Sequence, residues 1–439
     1  MVKKRILVLG AGLAGLSAAW HLQRRGIDCR VFEKEPEVGG LCRSKNISGF
    51  TFDYDGHLLH FKHRYTFNLI NNLLRDNLVK HQRSAWIYSH QKYIRYPFQA
   101  NFYGLPLTVI QECLSGFVKA SKDNHHKNKK NLIFFSWINQ TFGKGIAKYF
   151  MVPYNTKFWT VSPRELNCEW LDGFIPVPSL SEVIEGAFKE SQKQFGYNVH
   201  FWYPKKGGIN QLPLSLAQNI KHIYTDSPVT EIDLGKKEIK IGSGNKEKFD
   251  YLVSTIPLPE IPRLIKGMPK ESVYFFKRLR WNSIYNINLG LEKEDNSGRH
   301  WVYFPEKNKC FFRIGFAHNF TTRVTPGSKS SLYIEVAYSK DRPIDKEKII
   351  SRIKEDLERV GLLKKEERIS CQDINDIKYG YPIYNLHYNT ARKAIIKYLI
   401  RNNIIPCGRY GSWRYMSMED AILDGKIVAA NLLDKNAFI

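Results

Sequence analysis

Residues 5–15 read RILVLGAGLAG, and this stretch decides the fold. Its first half, Arg5–Leu9, is a short apolar run that predicts a buried parallel strand. Its second half is a G-x-G-x-x-G turn that leads into apolar residues at helical spacing. A second apolar run, Cys29–Phe32, then ends at Glu33. Strand, glycine turn, helix, strand and acid in this order predict a Rossmann-like α/β domain that binds a dinucleotide.

Each glycine of the turn has an expected task. Gly10 permits the tight turn, Gly12 lets the backbone approach a pyrophosphate, and Gly15 allows helix and strand to pack closely. The pyrophosphate is expected at the free N–H groups of the helix N-terminus, and the Glu33 carboxylate at a ribose hydroxyl, which argues against a 2′-phosphate there. A glycine turn without a ligand is the alternative, but the strands, helix and acid all fall in place. The other cofactor contacts predicted here are Leu13, Ala14 and Lys34.

The composition is that of a globular protein of two or three domains. The chain has 439 residues, 43% of them hydrophobic, and no apolar run reaches the roughly 18 residues that cross a bilayer. Its first residues lead directly into a strand and show no signal peptide. The seven cysteines form no C-x-x-C pair, which indicates reduced thiols, a cytoplasmic location and no metal centre.

The net charge of +25 bears on the class of partner. Nucleic acid, an anionic membrane surface and an anionic small molecule all suit a basic protein. No nucleic-acid-binding module accompanies the charge, and the local basic run His125–Lys130 is expected to be a solvated loop. We therefore expect a phosphate-bearing substrate and no nucleic acid, whereas peripheral membrane attachment and a homo-oligomer stay open.

A second glycine segment follows the acid, with the sequence Gly39-Gly40-Leu41-Cys42-Arg43-Ser44. The glycines allow close backbone approach and the arginine can meet a phosphate, with an ordinary turn as the alternative. Together, the glycine turn, the acid and this Gly-Gly-x-x-Arg series resemble the FAD-binding half of the amine oxidase and protoporphyrinogen oxidase superfamily. The resemblance implies FAD rather than NAD, with Gly40, Leu41 and Arg43 among its contacts.

The segment from Gly56 to His60 narrows the resemblance. UDP-galactopyranose mutases carry a similar G-x-H-x-x-H element whose first histidine lies close to the flavin, although Asp55-Gly56 stands here in place of their Gly-Pro. His57 is therefore expected to steady the flavin geometry or its reduced state. The two histidines lack a third metal ligand nearby, and for His60 a hydrogen-bonded core position is the alternative.

Arg313 lies between apolar neighbours in a region rich in predicted strands, residues 281–340. The alternating pattern there predicts an antiparallel sheet that floors a substrate cavity. An inward arginine in such a strand can clamp a diphosphate with two hydrogen bonds, whereas an edge or solvent position is the usual alternative.

Further segments resemble the mutases. The resemblance implies a diphosphate site from Arg313, Arg409, Tyr384 and Tyr415, and a uridine platform from Tyr154, Lys157 and Trp159. Other substrate contacts that it implies are Asn101, Tyr381 and Trp413, and other flavin contacts are Val229, Gly408, Arg409 and Met418. Helix packing by Trp159, a plain sheet position for Val229 and aromatic core packing by Tyr381 and Tyr410 are the alternatives.

The last helix is predicted to start at Ser417, which forms a near capping box with Asp420, and to run to Leu433. If its N-terminus points at the flavin, its positive end would favour negative charge on the reduced ring.

The predicted organisation is an FAD-binding domain from residues 1–65, 205–262 and 376–439, a helical cap from 66–204 and an antiparallel-sheet substrate domain from 263–375. By resemblance, we expect a flavin-dependent mutase (isomerase). It would interconvert pyranose and furanose forms of a nucleotide-diphosphate sugar with reduced FAD, in cell-surface polysaccharide synthesis. The alternative is an FAD-dependent oxidoreductase such as an amine or porphyrinogen oxidase or a desaturase. Two inward arginines would favour the mutase, and a mostly aliphatic cavity would favour the oxidoreductase. A binding module without catalysis would not need tyrosines and arginines near the flavin.

Overall fold

The structure, a computed structural model, describes residues 4–122, 132–171, 173–191, 193–196 and 198–432. The predicted loop at His125–Lys130 and the predicted helix end at Leu433 lie outside these residues. The described helices are α1 Leu13–Gln23, α2 Arg64–Leu74, α3 Leu107–Lys122, α4 Phe134–Ile146, α5 Val152–Trp159, α6 Leu180–Phe188, α7 Gln211–Ala217, α8 Ile261–Leu264, α9 Lys270–Phe276, α10 Ile349–Arg359, α11 Tyr388–Arg401, α12 Gly408–Gly411 and α13 Met418–Asn431.

The strands form two main sheets and three smaller groups among the described residues. Their bounds are β1 Ile6–Leu9, β2 Cys29–Phe32, β3 Ser44–Ile47, β4 Phe50–Asp53, β5 Leu78–Gln82, β6 Ala85–Ser89, β7 Lys92–Arg95, β8 His200–Pro204, β9 Ile223–Tyr224, β10 Val229–Asp233, β11 Glu238–Ile241, β12 Asn245–Lys248, β13 Tyr251–Ser254, β14 Arg280–Leu291, β15 Trp301–Tyr303, β16 Arg313–Gly315, β17 Ser330–Tyr338, β18 Ile369–Ile383 and β19 Ile404–Pro406.

A parallel sheet carries the N-terminal glycine turn. Its described strands follow the order β19-β13-β1-β2-β9, and every neighbouring pair is parallel. The four residues of β1 are buried, as an apolar run in a central parallel strand should be. The turn from β1 into α1 therefore lies at the carboxyl edge of the sheet, where ligands of such folds bind. The predicted α/β fold with a Rossmann-like domain is confirmed.

A larger sheet has the order β18-β14-β17-β16-β15-β6-β7 within the described chain. Its neighbours are antiparallel except for β15 and β6, which run parallel. The strands predicted between residues 281 and 340 all lie in it. The helix α10 packs Ile353 and Leu357 into the same hydrophobic cluster as this sheet. The register sets Arg313 of β16 directly opposite Glu335 of β17.

The predicted domain limits stay a prediction, but the large sheet crosses two of them. Strand β18 runs through the limit at residues 375 and 376, and β6 and β7 join the sheet from the region predicted as a helical cap. Within residues 107–150 the chain forms the helices α3 and α4. Residues 154–159 form most of α5, and Pro153 at its first turn suits a helix start.

The last described helix packs against the first. Ser417 and Asp420 form the predicted capping box, and the described helix ends at Asn431. A Cβ on Gly425 would lie 2.6 Å from the carbonyl oxygen of Ala14, so only glycine lets α13 approach α1 this closely. Among the described residues, no helix has the length and apolar character needed to cross a bilayer.

Candidate functional site

The glycine turn combines two crowded positions with an open one. A Cβ on Gly10 would lie 2.2 Å from Oγ1 of Thr255, and a Cβ on Gly15 would lie 2.0 Å from the Gly10 carbonyl oxygen. At Gly12 the nearest atom to a Cβ would be 3.9 Å away, at Gly40. Protein packing therefore explains why Gly10 and Gly15 are glycines, but it does not explain Gly12. The open side of Gly12 lies at the start of α1, whose first N–H groups at Leu13 and Ala14 have no partner within the helix.

Glu33 is fixed beside this turn. Its carboxylate accepts the Ala11 N–H at 2.7 Å and the Glu35 N–H at 3.0 Å, and its residue is only 6% exposed. Each carboxylate oxygen has two lone pairs, so acceptor capacity remains for the hydroxyl groups of a ribose. The segment before Val229 lies against the same acid, because the Ser227 N–H donates to the Glu33 carbonyl oxygen at 2.7 Å.

Two predicted cofactor side chains point to protein partners instead. The Arg43 Nε donates to the Gly40 carbonyl oxygen at 2.8 Å, and its guanidinium lies 4.6 Å from the centre of the Tyr54 ring. The Lys34 ammonium is 73% exposed and pairs with Glu35 at 3.2 Å. Phosphate contacts of Arg43 and cofactor contacts of Lys34 stay predictions. The structure offers Lys34 for that purpose only through its backbone.

Gly408 closes the turn from the C-terminal side. Its N–H donates to the Asp424 carboxylate of α13 at 2.7 Å, and a Cβ on it would lie 2.4 Å from the Cβ of Ala14. Met418 is the first residue of α13, and the next residue, Glu419, accepts the N–H groups of Lys62 and His63 at 2.8 and 3.0 Å. These hydrogen bonds thus join the N-terminus of α13 to the segment that follows His60.

His57 lies beside the large sheet, where it lines a small cavity together with Asn288 and Tyr333. Its Nδ1 contacts the carbonyl oxygen of Asp55 at 3.2 Å. Burial lowers the pKa of His57, against the attraction of Asp53 and Asp55, so the imidazole is neutral near pH 7. Burial lowers the pKa of His60 as well, in keeping with the alternative of a core position. Residues 54–58 are not helical, so the two histidines do not share a helix face.

Arg409 lies over two tyrosines that stack on each other. The rings of Tyr381 and Tyr415 are 5.7 Å apart at an interplanar angle of 16°, and the Arg409 guanidinium lies 5.1 and 5.5 Å from them. The Arg409 Nε donates to the Met416 carbonyl oxygen at 2.9 Å, and the Tyr384 hydroxyl accepts the Tyr415 N–H at 2.6 Å. These contacts join three of the predicted diphosphate residues.

Arg313 brings the fourth predicted residue to the same place. Its guanidinium holds the Glu335 carboxylate with two hydrogen bonds, one of them 2.7 Å long, and Glu335 is fully buried. Although burial disfavours its charge, the Glu335 carboxylate raises the pKa of Arg313 well above its usual value. Arg313 and Arg409 both act electrostatically on Tyr381 and Tyr415. The charge of Arg313 also acts on Tyr154. The Tyr154 ring packs on the Tyr303 ring, with 5.4 Å between the two ring centres.

Four residues predicted to contact the substrate are held by protein partners, and their substrate contacts stay predictions. The Lys157 ammonium donates to the carbonyl oxygens of Phe304, Glu306 and Phe311 at 2.8, 2.5 and 3.1 Å, and burial lowers its pKa to about 7. Asn101, 2% exposed, donates to the Pro97 carbonyl oxygen and accepts the Ser191 N–H, at 3.2 Å each. Trp159 and Trp413 are fully buried in aromatic packing, which for Trp159 was the alternative.

Sequence reasoning missed Glu335 and Asp55. Glu335 is a single acid in the otherwise apolar run LYIEVAY, just as Arg313 is a single base in an apolar strand. A pair of opposite charges, each alone in an apolar strand, was the available signal. Asp55 was noted only as a departure from the resemblance, and it lies beside Glu335.

Comparisons with known proteins identify the family and match the fold. The family described as flavin containing amine oxidoreductase matches residues 13–433. The crystal structure of reduced UDP-galactopyranose mutase matches with a TM-score of 0.92 and 25% identity, over 98% of this chain and 95% of that chain.

Among curated sequences, a zeta-carotene-forming phytoene desaturase of Myxococcus xanthus is 48% identical over 50 residues, 11% of this chain and 10% of the desaturase. A 4,4'-diaponeurosporene oxygenase of Staphylococcus haemolyticus (strain JCSC1435) is 21% identical over 436 residues, 87% of this chain and 86% of the oxygenase. The chain spans only 53% and 10% of the first two curated relatives that it matches.

Proposed function

The chain belongs to the flavin containing amine oxidoreductase family and is an FAD-dependent enzyme, and we propose that it is a mutase acting on a nucleotide-diphosphate sugar. In this proposal the enzyme interconverts the pyranose and furanose forms of the sugar with reduced FAD. The observation that carries it is a pair of half-buried arginines: Arg409 lies over the stacked tyrosine pair, and the charge of Arg313 acts on the same two rings. The likeness to reduced UDP-galactopyranose mutase supports it.

The residues at the glycine turn fit FAD. The open side of Gly12 and the N–H groups of Leu13 and Ala14 would receive the pyrophosphate, and Glu33 would accept the ribose hydroxyls. Leu41 follows Gly40 and packs in the cluster that contains Tyr154 and Tyr381, so the segment leads from the turn to the tyrosines. His57 would lie along the flavin, between the glycine turn and the stacked tyrosines.

The protein groups in this proposal bind and orient. Two arginines with free N–H groups can hold a diphosphate, and tyrosine hydroxyls can donate to its oxygens. Burial raises the pKa of Tyr381 and Tyr415, which keeps both hydroxyls protonated as donors. When bound, reduced FAD would supply the nucleophile, with no net change in its redox state. The arginines would fix the diphosphate. The sugar would thereby be held against the flavin, and water would be excluded.

The desaturase and the oxygenase among the relatives favour a second candidate, an FAD-dependent oxidoreductase. Such an enzyme with an apolar substrate needs a mostly aliphatic cavity. Charged arginines and a buried glutamate in the wall speak against that cavity, because an unsolvated charge without a polar ligand is costly. The two candidates also differ in the flavin state that is active.

The test compares reduced and oxidised enzyme. Holoenzyme reduced with dithionite is incubated with UDP-galactopyranose, and the products are separated by anion-exchange chromatography. We expect furanose product from the reduced enzyme, none from the oxidised enzyme, and no net oxidation of the flavin. The oxidoreductase proposal is correct if UDP-sugars are unchanged and the flavin of the oxidised enzyme loses its absorbance when an amine, a porphyrinogen or a polyene is added.

A further inference from the structure

A third charged side chain lies at the Arg313–Glu335 pair. The carboxyl of Asp55 is within hydrogen-bonding reach of the carboxyl of Glu335. Asp55 precedes Gly56, and a Cβ on Gly56 would lie 2.4 Å from the Tyr333 ring, so this loop packs directly on β17. Two acids from distant parts of the chain therefore meet beside a single arginine.

The contact leaves one carboxyl oxygen without a donor. Oδ1 of Asp55 is buried, and no described residue gives it a hydrogen bond. Asp55 also has a φ of +85°, a conformation that costs energy in any residue with a side chain. A strained backbone and an orphaned buried oxygen are both costly, so the position of this carboxyl calls for a compensating interaction.

A shared proton supplies that interaction. Two ionised carboxylates in contact at a buried site repel each other, and a single proton between them turns the repulsion into a hydrogen bond. The Arg313 guanidinium, already bound to both oxygens of Glu335, balances the one remaining negative charge. Burial raises the pKa of Glu335 well above its usual range despite Arg313, which agrees with a retained proton.

We propose that Asp55 and Glu335 form an acid pair that shares one proton at neutral pH, and that this pair is the proton donor and acceptor of the substrate site. The charged and titratable groups that face it are Arg313, His57, Tyr154, Tyr333, Tyr381 and Tyr410. Arginine stays charged, burial keeps the histidine neutral, and burial raises the pKa of each tyrosine. The acid pair is therefore the member of this described set that is placed to give and accept a proton.

The role in turnover rests on the proposed mutase function. When a pyranose becomes a furanose, the ring oxygen that leaves the anomeric carbon gains a proton, and the hydroxyl oxygen that replaces it loses one. The acid pair gives the first proton and recovers the second, so its protonation is restored after each turnover. Nothing is oxidised or reduced in these two transfers.

The first experiment needs no substrate. Infrared spectra of the holoenzyme in D₂O at neutral pH should contain a band from a protonated carboxyl that is absent in Asp55→Asn and in Glu335→Gln. Asn tolerates a positive φ nearly as well as Asp, so the first variant should fold. Asp226→Asn is the matched control, because Asp226 also has a positive φ but is exposed. A band that persists in Asp55→Asn overturns the shared proton.

The same proton is visible in stability. The unfolded chain releases it near the ordinary carboxyl pKa of about 4, whereas the folded pair keeps it to higher pH. The folded state then binds one more proton at neutral pH, so the stabilising contribution of the pair is greatest at low pH and is lost as the pH rises through the pKa of the pair. Asp55→Asn should flatten the fall of Tm as the pH rises above the ordinary carboxyl range, and Asp226→Asn should not. Equal slopes in all three proteins contradict the proposal.

The second experiment measures turnover by reduced enzyme. Asp55→Asn should lower kcat by roughly 10²-fold or more, leave KM within a few-fold, and remove the basic limb of the pH profile. Turnover at the wild-type rate overturns the proton-transfer role. If reduced wild-type enzyme converts no nucleotide sugar, the mutase function has failed, and the infrared bands still decide whether the acid pair exists.

Discussion

The glycine turn and the arginine–tyrosine cluster are built from the chain in opposite ways. The turn gathers residues within about two dozen positions, from Gly10 to Glu33, and their spacing alone fixes their geometry. The cluster gathers Asp55, Arg313, Glu335, Tyr381 and Arg409 from widely separated segments. A local site can be altered one residue at a time, whereas a site of distant charges is coupled through the whole fold.

The largest effect on stability is expected when one charge of the cluster is removed. Arg313→Leu leaves the fully buried Glu335 without its partner, and we expect a loss of about 3–5 kcal/mol in the free energy of unfolding. Chemical denaturation measures it. Arg313→Leu combined with Glu335→Leu should recover part of the loss, because the buried Glu335 carboxylate is gone and only the half-buried Asp55 loses its partner. If the double variant is as unstable as the single one, the arginine stabilises the fold by packing rather than by pairing.

The turn is tested by two neighbouring glycines. Gly15→Ala would place a Cβ 2.0 Å from the Gly10 carbonyl oxygen, so we expect a loss of about 1–3 kcal/mol or more even without cofactor. Gly12→Ala has open space and should change stability by less than about 0.5 kcal/mol, yet weaken FAD by roughly tenfold or more. Thermal unfolding of apoprotein and flavin titration measure the two effects. Equal effects of both substitutions on apoprotein stability would mean that Gly12 serves packing.

Lys157 tests whether the substrate site extends beyond the arginine–tyrosine cluster. Lys157→Met leaves three carbonyl oxygens without their shared donor, and we expect a loss of about 1–3 kcal/mol. Binding of UDP to the folded variant, measured by calorimetry, should equal that of the wild type. The exposed Lys307, in the same region, gives the matched control Lys307→Met, for which neither quantity should change. Loss of UDP binding in Lys157→Met alone would restore the predicted phosphate role.

The smallest effect is expected at Lys34. Its side chain is 73% exposed, so Lys34→Ala should shift stability by less than about 0.5 kcal/mol and leave the FAD affinity unchanged. Flavin fluorescence during titration measures the affinity. A weaker complex would show that the side chain, and not only the backbone, reaches the cofactor.

The two regions also differ in how far the sequence predicts them. Glycine spacing, the apolar strands and Glu33 specified the turn, because each acts through neighbours in the chain. Arg313 and Arg409 were found through resemblance and through a charge inside a strand, but Glu335 and Asp55 were not assigned. Their meaning depends on the strand register and on a loop from elsewhere, and no local pattern encodes either.

The predicted substrate contacts of Lys157, Trp159 and Trp413 show the same limit. A lysine or a tryptophan looks the same in sequence whether it faces a ligand or fills the core, as at Lys157 and Trp159, the sixth and eighth residues of α5. Three carbonyl oxygens at the end of a strand hairpin hold Lys157, and aromatic neighbours enclose Trp159 and Trp413. Side-chain burial of this kind is decided by tertiary packing, which overrides the local signal.

The packing of α13 on α1 has a consequence for biogenesis. Ser17 of α1 donates to the Ile422 carbonyl oxygen of α13 at 2.6 Å, and Gly425 lies against Ala14. The glycine turn proposed to receive the pyrophosphate is thus synthesised 405 residues before the helix that backs it. Flavin loading should therefore wait for the synthesis of α13, and a nascent chain stalled before α13 should hold no stable chromophore.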